Sequence, residues 1–110
     1  MGHQKSSVMF DIYLSETGHS GLFSAKTFLE TIGSLSFRYN GPHSLVVTSL
    51  EVEPSLNFRP IAYELLDSLH RYAYDNDCTI NFCCPKAKAI NDQQIAQELM
   101  QLSMIQLEAA

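Results

Sequence analysis

The sequence predicts a small α/β domain in the order βαβαβα, an open, largely parallel sheet with helices packed against it. Three observations carry that expectation. Val8 to Leu14, Leu45 to Leu50 and Thr79 to Cys84 have the alternating or continuous apolar pattern of strands. Each is followed by a stretch whose apolar residues recur three and four apart, the spacing of one helical face. The connections are short, and such alternation favours strands joined by crossover helices. A chain of 110 residues has room for one core, so residues 8–110 are expected to form a single domain and residues 1–7 a flexible tail.

In the first strand, Val8, Phe10, Ile12 and Leu14 share a face. Ser15 to Gly21, rich in Ser, Thr and Gly, reads as a loop, with Ser20 or Ser24 available to cap the helix after it. From Leu22, the residues Ala25, Phe28, Leu29, Ile32, Leu35 and Tyr39 predict a first helix, stopped by Asn40, Gly41 and Pro42. A second reading competes there. Gly33 costs a helix about 1 kcal/mol relative to Ala. Leu35, Phe37 and Tyr39 also alternate, so Ser34 to Tyr39 can be a strand turning at Asn40-Gly41. The helix is the preferred reading; the alternative gives a ferredoxin-like βαββαβ order plus a C-terminal helix.

Leu45 to Leu50, compact and β-branched, has the composition of a central strand covered on both faces. Pro60 suits the first turn of the next helix, whose core face is Ile61, Leu65, Leu66, Leu69 and Ala73, with Glu64, Asp67, Arg71 and Asp75 outside. Asp75-Asn76-Asp77 breaks it, and Pro85 ends the third strand. Asn91 and Gln94 form a capping-box pattern, and Ile90 and Ile95 a staple, so the last helix is expected to start at Asn91. Its apolar run from Leu99 to Leu107 is expected to pack on the domain's own sheet, with a homodimer contact as a further use.

Charge and composition narrow the function. Seven basic residues against twelve acidic ones give a net charge of -5, and the basic residues are scattered. Without a basic stripe, counterion release cannot drive nucleic-acid binding, and an anionic membrane surface has nothing to hold. No apolar run approaches the ~18 residues of a membrane span, and no segment reads as a signal peptide. Cys78, Cys83 and Cys84 are an odd number without zinc spacing, which suits a reducing cytoplasm. They read as small buried hydrophobes, and Cys84, near the carboxyl end of its strand, is the candidate reactive thiol. His3, His19, His43 and His70 form no metal pair, and Gly18 and Gly21 mark a turn in place of a phosphate loop. The sequence holds no recognisable catalytic, metal or cofactor motif.

The pattern Ile61 to Leu66, Leu69-His70-Arg71, Thr79 to Cys84 and Pro85 resembles the helix, strand and proline layout of STAS domains, the sulfate-transporter and anti-sigma-factor-antagonist modules. The Leu45 to Leu50 strand and the Leu22 to Tyr39 helix fall in compatible places. The switch Ser or Thr of that family has no counterpart at the aligned Arg59-Pro60-Ile61, and Ser55 lies several residues early in the same loop. The resemblance implies a non-enzymatic interaction or regulatory module that needs no cofactor. It would meet another protein through the loop carrying Glu53, Ser55, Asn57 and Arg59. The rivals are a small-ligand-binding, ferredoxin-like homodimer and a small enzyme using a Cys or His.

Overall fold

Four strands come in succession before the first helix, so the order is ββββαβα and neither βαβαβα nor ferredoxin-like. The computed structural model describes residues 9–109, with side chains through Leu102; Val8 and the expected tail over residues 1–7 lie outside them. The elements are β1 (Asp11–Thr17), β2 (Ser20–Lys26), β3 (Thr31–Tyr39), β4 (Ser44–Val52), α1 (Phe58–Asp75), β5 (Thr79–Phe82) and α2 (Pro85–Ala109). They form one sheet in the order β1-β2-β3-β4-β5, antiparallel up to β4 and parallel between β4 and β5.

The segment expected as a loop and a helix is instead most of a three-stranded meander. β1 and β2 join through Gly18 and His19 alone, and Gly18 takes the positive φ of +60° that so tight a hairpin demands. Ser20 and Ser24 therefore lie in a strand, capping nothing. β2 and β3 join through Thr27–Glu30, where Thr27 Oγ1 accepts the N–H groups of Leu29 and Glu30, both at 3.1 Å. Phe28 and Leu29, expected on a buried helical face, stand exposed at that tip. Phe23 and Ala25 of β2 and Leu35 and Phe37 of β3 are buried at period two. Strand pairing wins because Thr27, Thr31 and Ile32 are stiff at χ1 in a helix and Gly33 weakens one. The strand and Asn40-Gly41 turn weighed for Ser34 to Tyr39 are present, and Asn40 N–H donates to Ser44 O at 2.8 Å.

α1 lies over the sheet and buries Ile61, Ala62, Leu65, Leu66, Leu69 and Ala73 in one cluster with Phe23, Leu35, Phe37, Leu45, Val47 and Leu50. The three- and four-residue spacing read from the sequence is thus its core face. Ala87 and Ile90 at the start of α2 close the same cluster. α2 begins at Pro85, six residues before the expected Asn91. A proline is at home in a first turn, and Lys88 N–H donates to Cys84 O at 3.1 Å. Asn91 is no cap: it is buried in the helix, its Oδ1 2.7 Å from His70 Nε2, tying α2 to α1. Leu99, Met100 and Leu102 do not pack on the sheet but are more than half exposed. The side chains of Met104, Ile105 and Leu107 lie outside the described ones. Cys78 and Cys84 are half-buried, whereas Cys83 is exposed, against the expectation of three buried thiols.

At the end of the sheet where β3 finishes, Phe23, Phe37, Tyr39 and Tyr72 form an aromatic group with centroids 5.4–6.4 Å apart. Tyr72 Oη donates to Glu16 Oε1 at 3.2 Å and so accepts from Tyr39 Oη at 2.8 Å. Desolvation first, then the Tyr39 hydroxyl and the Glu16 carboxylate, push the Tyr72 phenol above its ordinary value of 10.0. The unfolded chain, with the ordinary value, releases this proton first. The stabilisation is therefore complete below about pH 10 and is lost as pH rises beyond it. Denaturant unfolding of the native protein should lose stability more steeply above pH 10 than that of Tyr72→Phe; equal slopes would contradict this.

Candidate functional site

The parallel pair β4 and β5 is short. Ser44 to Val47 face Thr79 to Phe82, and the last bond of the ladder runs from Cys83 N–H to Val47 O at 2.9 Å. β4 continues for Thr48 to Val52, paired to β3 alone, while the segment after β5 turns away at Pro85 into α2. The two strands thus part at Val47 and leave a notch along one backbone edge of β4.

Thr48 is why β4 behaves this way. Phe37 pairs with Val47 and Ser36 with Ser49, so Thr48 is an extra residue, a β-bulge. The bulge reverses the alternation: Leu45 and Val47 face the core before it, Leu50 and half-buried Val52 after it. Bulges bend the strand and end pairing, and they recur beside functional sites.

The notch opens toward the first turn of α1. No side chain caps that turn from Asn57, and Pro60, its third residue, has no N–H. The N–H groups of Phe58 and Arg59 remain as the donors that a helix start leaves free. Arg59 Nη1 donates to Gln93 Oε1 of α2 at 2.8 Å, so its other guanidinium N–H groups remain available. Lys86, in the first turn of α2, sits 3.8 Å from Glu51 Oε1 and 5.5 Å above the Phe58 ring. Both partners of that ion pair are about half exposed or more, so it contributes little stability. Its consequence is placement: two cations, Arg59 and Lys86, flank the positive end of α1.

The arrangement suits an extended ligand with an anionic end. The edge of β4 offers backbone donors and acceptors at strand spacing, and the helix start and two cations offer charge. Beside the notch, a hollow of about 320 Å³ lies among Ile32, Gly33, Glu51, Val52, Glu53 and Pro54. A wider groove of about 800 Å³ runs along the other flank of α1 over Phe10, Ile12 and Leu14. That groove is roomier because α1 leaves β1, the edge strand of the sheet, partly uncovered. Among the described residues, no group of three His, Cys, Asp or Glu side chains is placed to hold a metal.

The residues singled out from the sequence fall close to the notch. Glu53, Ser55, Asn57 and Arg59 are exposed on the β4 to α1 connection and at its junction with the helix. Cys84 is half-buried, packed on the core directly before α2. Sequence reasoning missed Thr48, Lys86 and Gln93. The switch of apolar residues from odd to even positions across Leu45 to Val52 carried the bulge's signal. Lys86 and Gln93 had none while α2 was expected to begin at Asn91.

No protein-family model matches the sequence, and a search of the curated proteins finds no match either. Solved structures do match. A GNAT-family acetyltransferase from Streptococcus pneumoniae aligns with a TM-score of 0.56 at 16% identity over 69% of this chain and 76% of that one. A ribosomal-protein-alanine N-acetyltransferase from Brucella melitensis gives 0.55 at 18% over 68% of this chain and 62% of that one. An aminoglycoside N-acetyltransferase in complex with CoA gives 0.53 at 19% over 76% and 60%. The chain thus spans less than two thirds of the length of the last two. These neighbours are GNAT-type acetyltransferases and not STAS domains, which corrects both the STAS resemblance and the non-enzymatic interaction module drawn from it. The layout behind that resemblance needed a helix over Leu22 to Tyr39, and strands stand there. No helix among the described residues is long and apolar enough to cross a membrane. At this identity the likeness is one of fold: a mixed sheet of five strands with two helices, arranged as in GNAT acetyltransferases.

Proposed function

We propose that this chain binds a CoA thioester in the notch between β4 and β5 and serves an N-acyltransferase reaction. The parting of the two strands at the Thr48 bulge, opposite the first turn of α1, carries this reading. The CoA complex of the aminoglycoside enzyme adds support through a shared fold. The residues present fit such a ligand. The N–H groups of Phe58 and Arg59, with the Arg59 and Lys86 cations, would hold phosphate oxygens, and the free edge of β4 from Thr48 to Val52 would hold an amide-bearing arm. A bound CoA thioester supplies an activated acyl group: an amine nitrogen bonds to the acyl carbon, the C–S bond breaks, and the amine's proton balances the released thiolate. The chain's own part is to orient. β4 offers fixed backbone dipoles, and Glu51 and Glu53 give the notch an acidic rim that would draw in a protonated amine, which must first lose that proton to solvent before its nitrogen attacks.

Calorimetric titration of CoA into the purified protein tests the binding half. We expect measurable binding that weakens tenfold or more in Arg59→Glu/Lys86→Glu, since both side chains are exposed and neither holds the core. Thiol release from acetyl-CoA over a panel of primary amines tests the transfer half. A well-folded protein that takes up neither CoA nor acetyl-CoA at millimolar concentration would overturn the proposal.

A further inference from the structure

β1 is the edge of the sheet, and the groove of about 800 Å³ beside α1 lies along it. In a two-residue hairpin the pair flanking the loop exchanges both hydrogen bonds, here Thr17 and Ser20. Counting back in twos, Ser15, Tyr13 and Asp11 also bond to β2, so Ile12, Leu14 and Glu16 direct their N–H and C=O groups to the open side. Ile12 and Leu14 line the groove as well, together with Phe23. One row of residues thus supplies both free backbone groups and an apolar wall. Proteins commonly blunt such an edge with lysine, proline or a bulge, and the seven residues of β1 carry none of the three.

Two further observations say what the edge is for. Tyr63, which lines the groove from α1, has its hydroxyl buried with no hydrogen-bond partner among the described residues. Buried hydroxyls are nearly always paired, so this one points to a polar group that an occupant brings. Around the edge, Asp11, Glu16 and Glu64 have no ion pair among the described residues, while Arg71 is held by Asp67 at 2.8 Å. We infer that the β1 edge takes a basic, extended polypeptide segment as an added antiparallel strand, its alternate apolar side chains filling the groove. An extended chain matches a row of N–H and C=O groups two residues apart, and antiparallel pairing continues the pattern of the β1 to β4 meander. The segment is not β1 of a second copy. The ionisable groups of β1 other than Tyr13 are Asp11 and Glu16, so self-pairing would bring carboxylates together with no cation between them. The edge lies across the sheet from the notch between β4 and β5, so this binding stands or falls independently of CoA.

Fluorescence anisotropy of the full chain with a labelled, acetylated peptide of about nine residues alternating Lys and Val tests this. Micromolar binding is expected, lost when Glu replaces Lys in the peptide. In an antiparallel added strand the valines that face the groove direct their N–H groups to β1, and the lysines direct theirs away. N-methylation of the valines should therefore weaken binding tenfold or more, and N-methylation of the lysines should leave it unchanged. Leu14→Pro removes one outward N–H and no bond to β2, so it should keep a cooperative thermal transition and bind the peptide at least tenfold more weakly. Tyr63→Phe loses no internal hydrogen bond and should be as stable as the native protein, with the peptide held several-fold more weakly. A native protein that does not bind the Lys and Val peptide at millimolar concentration would overturn the inference. So would a valine-methylated peptide that binds as well as its parent, a comparison that needs no variant to fold.

Discussion

Replacing Phe37 with alanine should cost about 3–5 kcal/mol, the most of any single truncation in this chain. A domain of this size is stable by about 5–15 kcal/mol, so the variant would be close to unfolding at ambient temperature. Phe37 is 1% exposed and sits between strand and helix, with ring centroids of Phe23 at 5.7 Å, Tyr72 at 5.4 Å and Tyr39 at 6.4 Å. Truncation removes the apolar area of the ring and three aromatic contacts together. The cavity cannot collapse easily, because its walls are strands fixed by hydrogen bonds on both sides. Phe37→Leu keeps most of the volume and should lose markedly less. Urea unfolding of the three proteins tests the order; an alanine variant within 1 kcal/mol of the native protein would contradict it.

The same part of the molecule explains which elements the sequence disclosed. α1 was legible because one helical face stays buried along its whole length, from Ile61 to Ala73. β4 and β5 were legible as apolar, β-branched runs with polar breaks at Glu53 and Asp77. The meander was not, for a geometric reason. Ile32 is an extra residue at the bulge where Ala25 pairs with Gly33 and Lys26 with Thr31. Its burial breaks the period-two pattern, and the exposed Phe28 and Leu29 at the turn fill the gap. The sum of two strands, a turn and a bulge then imitates spacings of three and four. Local periodicity cannot distinguish this from a helix, since the deciding contacts are between strands.

The candidate site was legible to the same degree. Pro60 and the polar residues before it marked the connection that carries Glu53, Ser55, Asn57 and Arg59, because a helix start has local chemistry. The notch has none. It exists because β5 stops four residues after it begins while β4 runs on for nine. Cys83 and Cys84 follow the short strand without announcing a gap, and Pro85 directly after them starts α2, which brings Lys86 to Glu51.

Gly21 makes the second large prediction, one opposed to strand propensity. It lies in β2, where valine is intrinsically better by up to about 1 kcal/mol, and its φ is not in the left-handed region, so nothing in the backbone calls for glycine. The ring of Phe37, its cross-strand partner, does. A Cβ on Gly21 would fall within 2.6 Å of Phe37 Cε1 and 3.1 Å of Cε2. The ring is held by Phe23, Tyr39 and Tyr72 and cannot swing away without displacing them. Gly21→Val should therefore destabilise by about 1–3 kcal/mol or more through overpacking, and Gly21→Ala by less. The cause can be separated from a backbone effect with a double-mutant cycle. If the clash is with the ring, Gly21→Ala in a Phe37→Leu background should cost at least about 0.5 kcal/mol less than in the native protein, the coupling expected of residues in contact. Additive losses would mean that the strand, and not the ring above it, requires a glycine at this position.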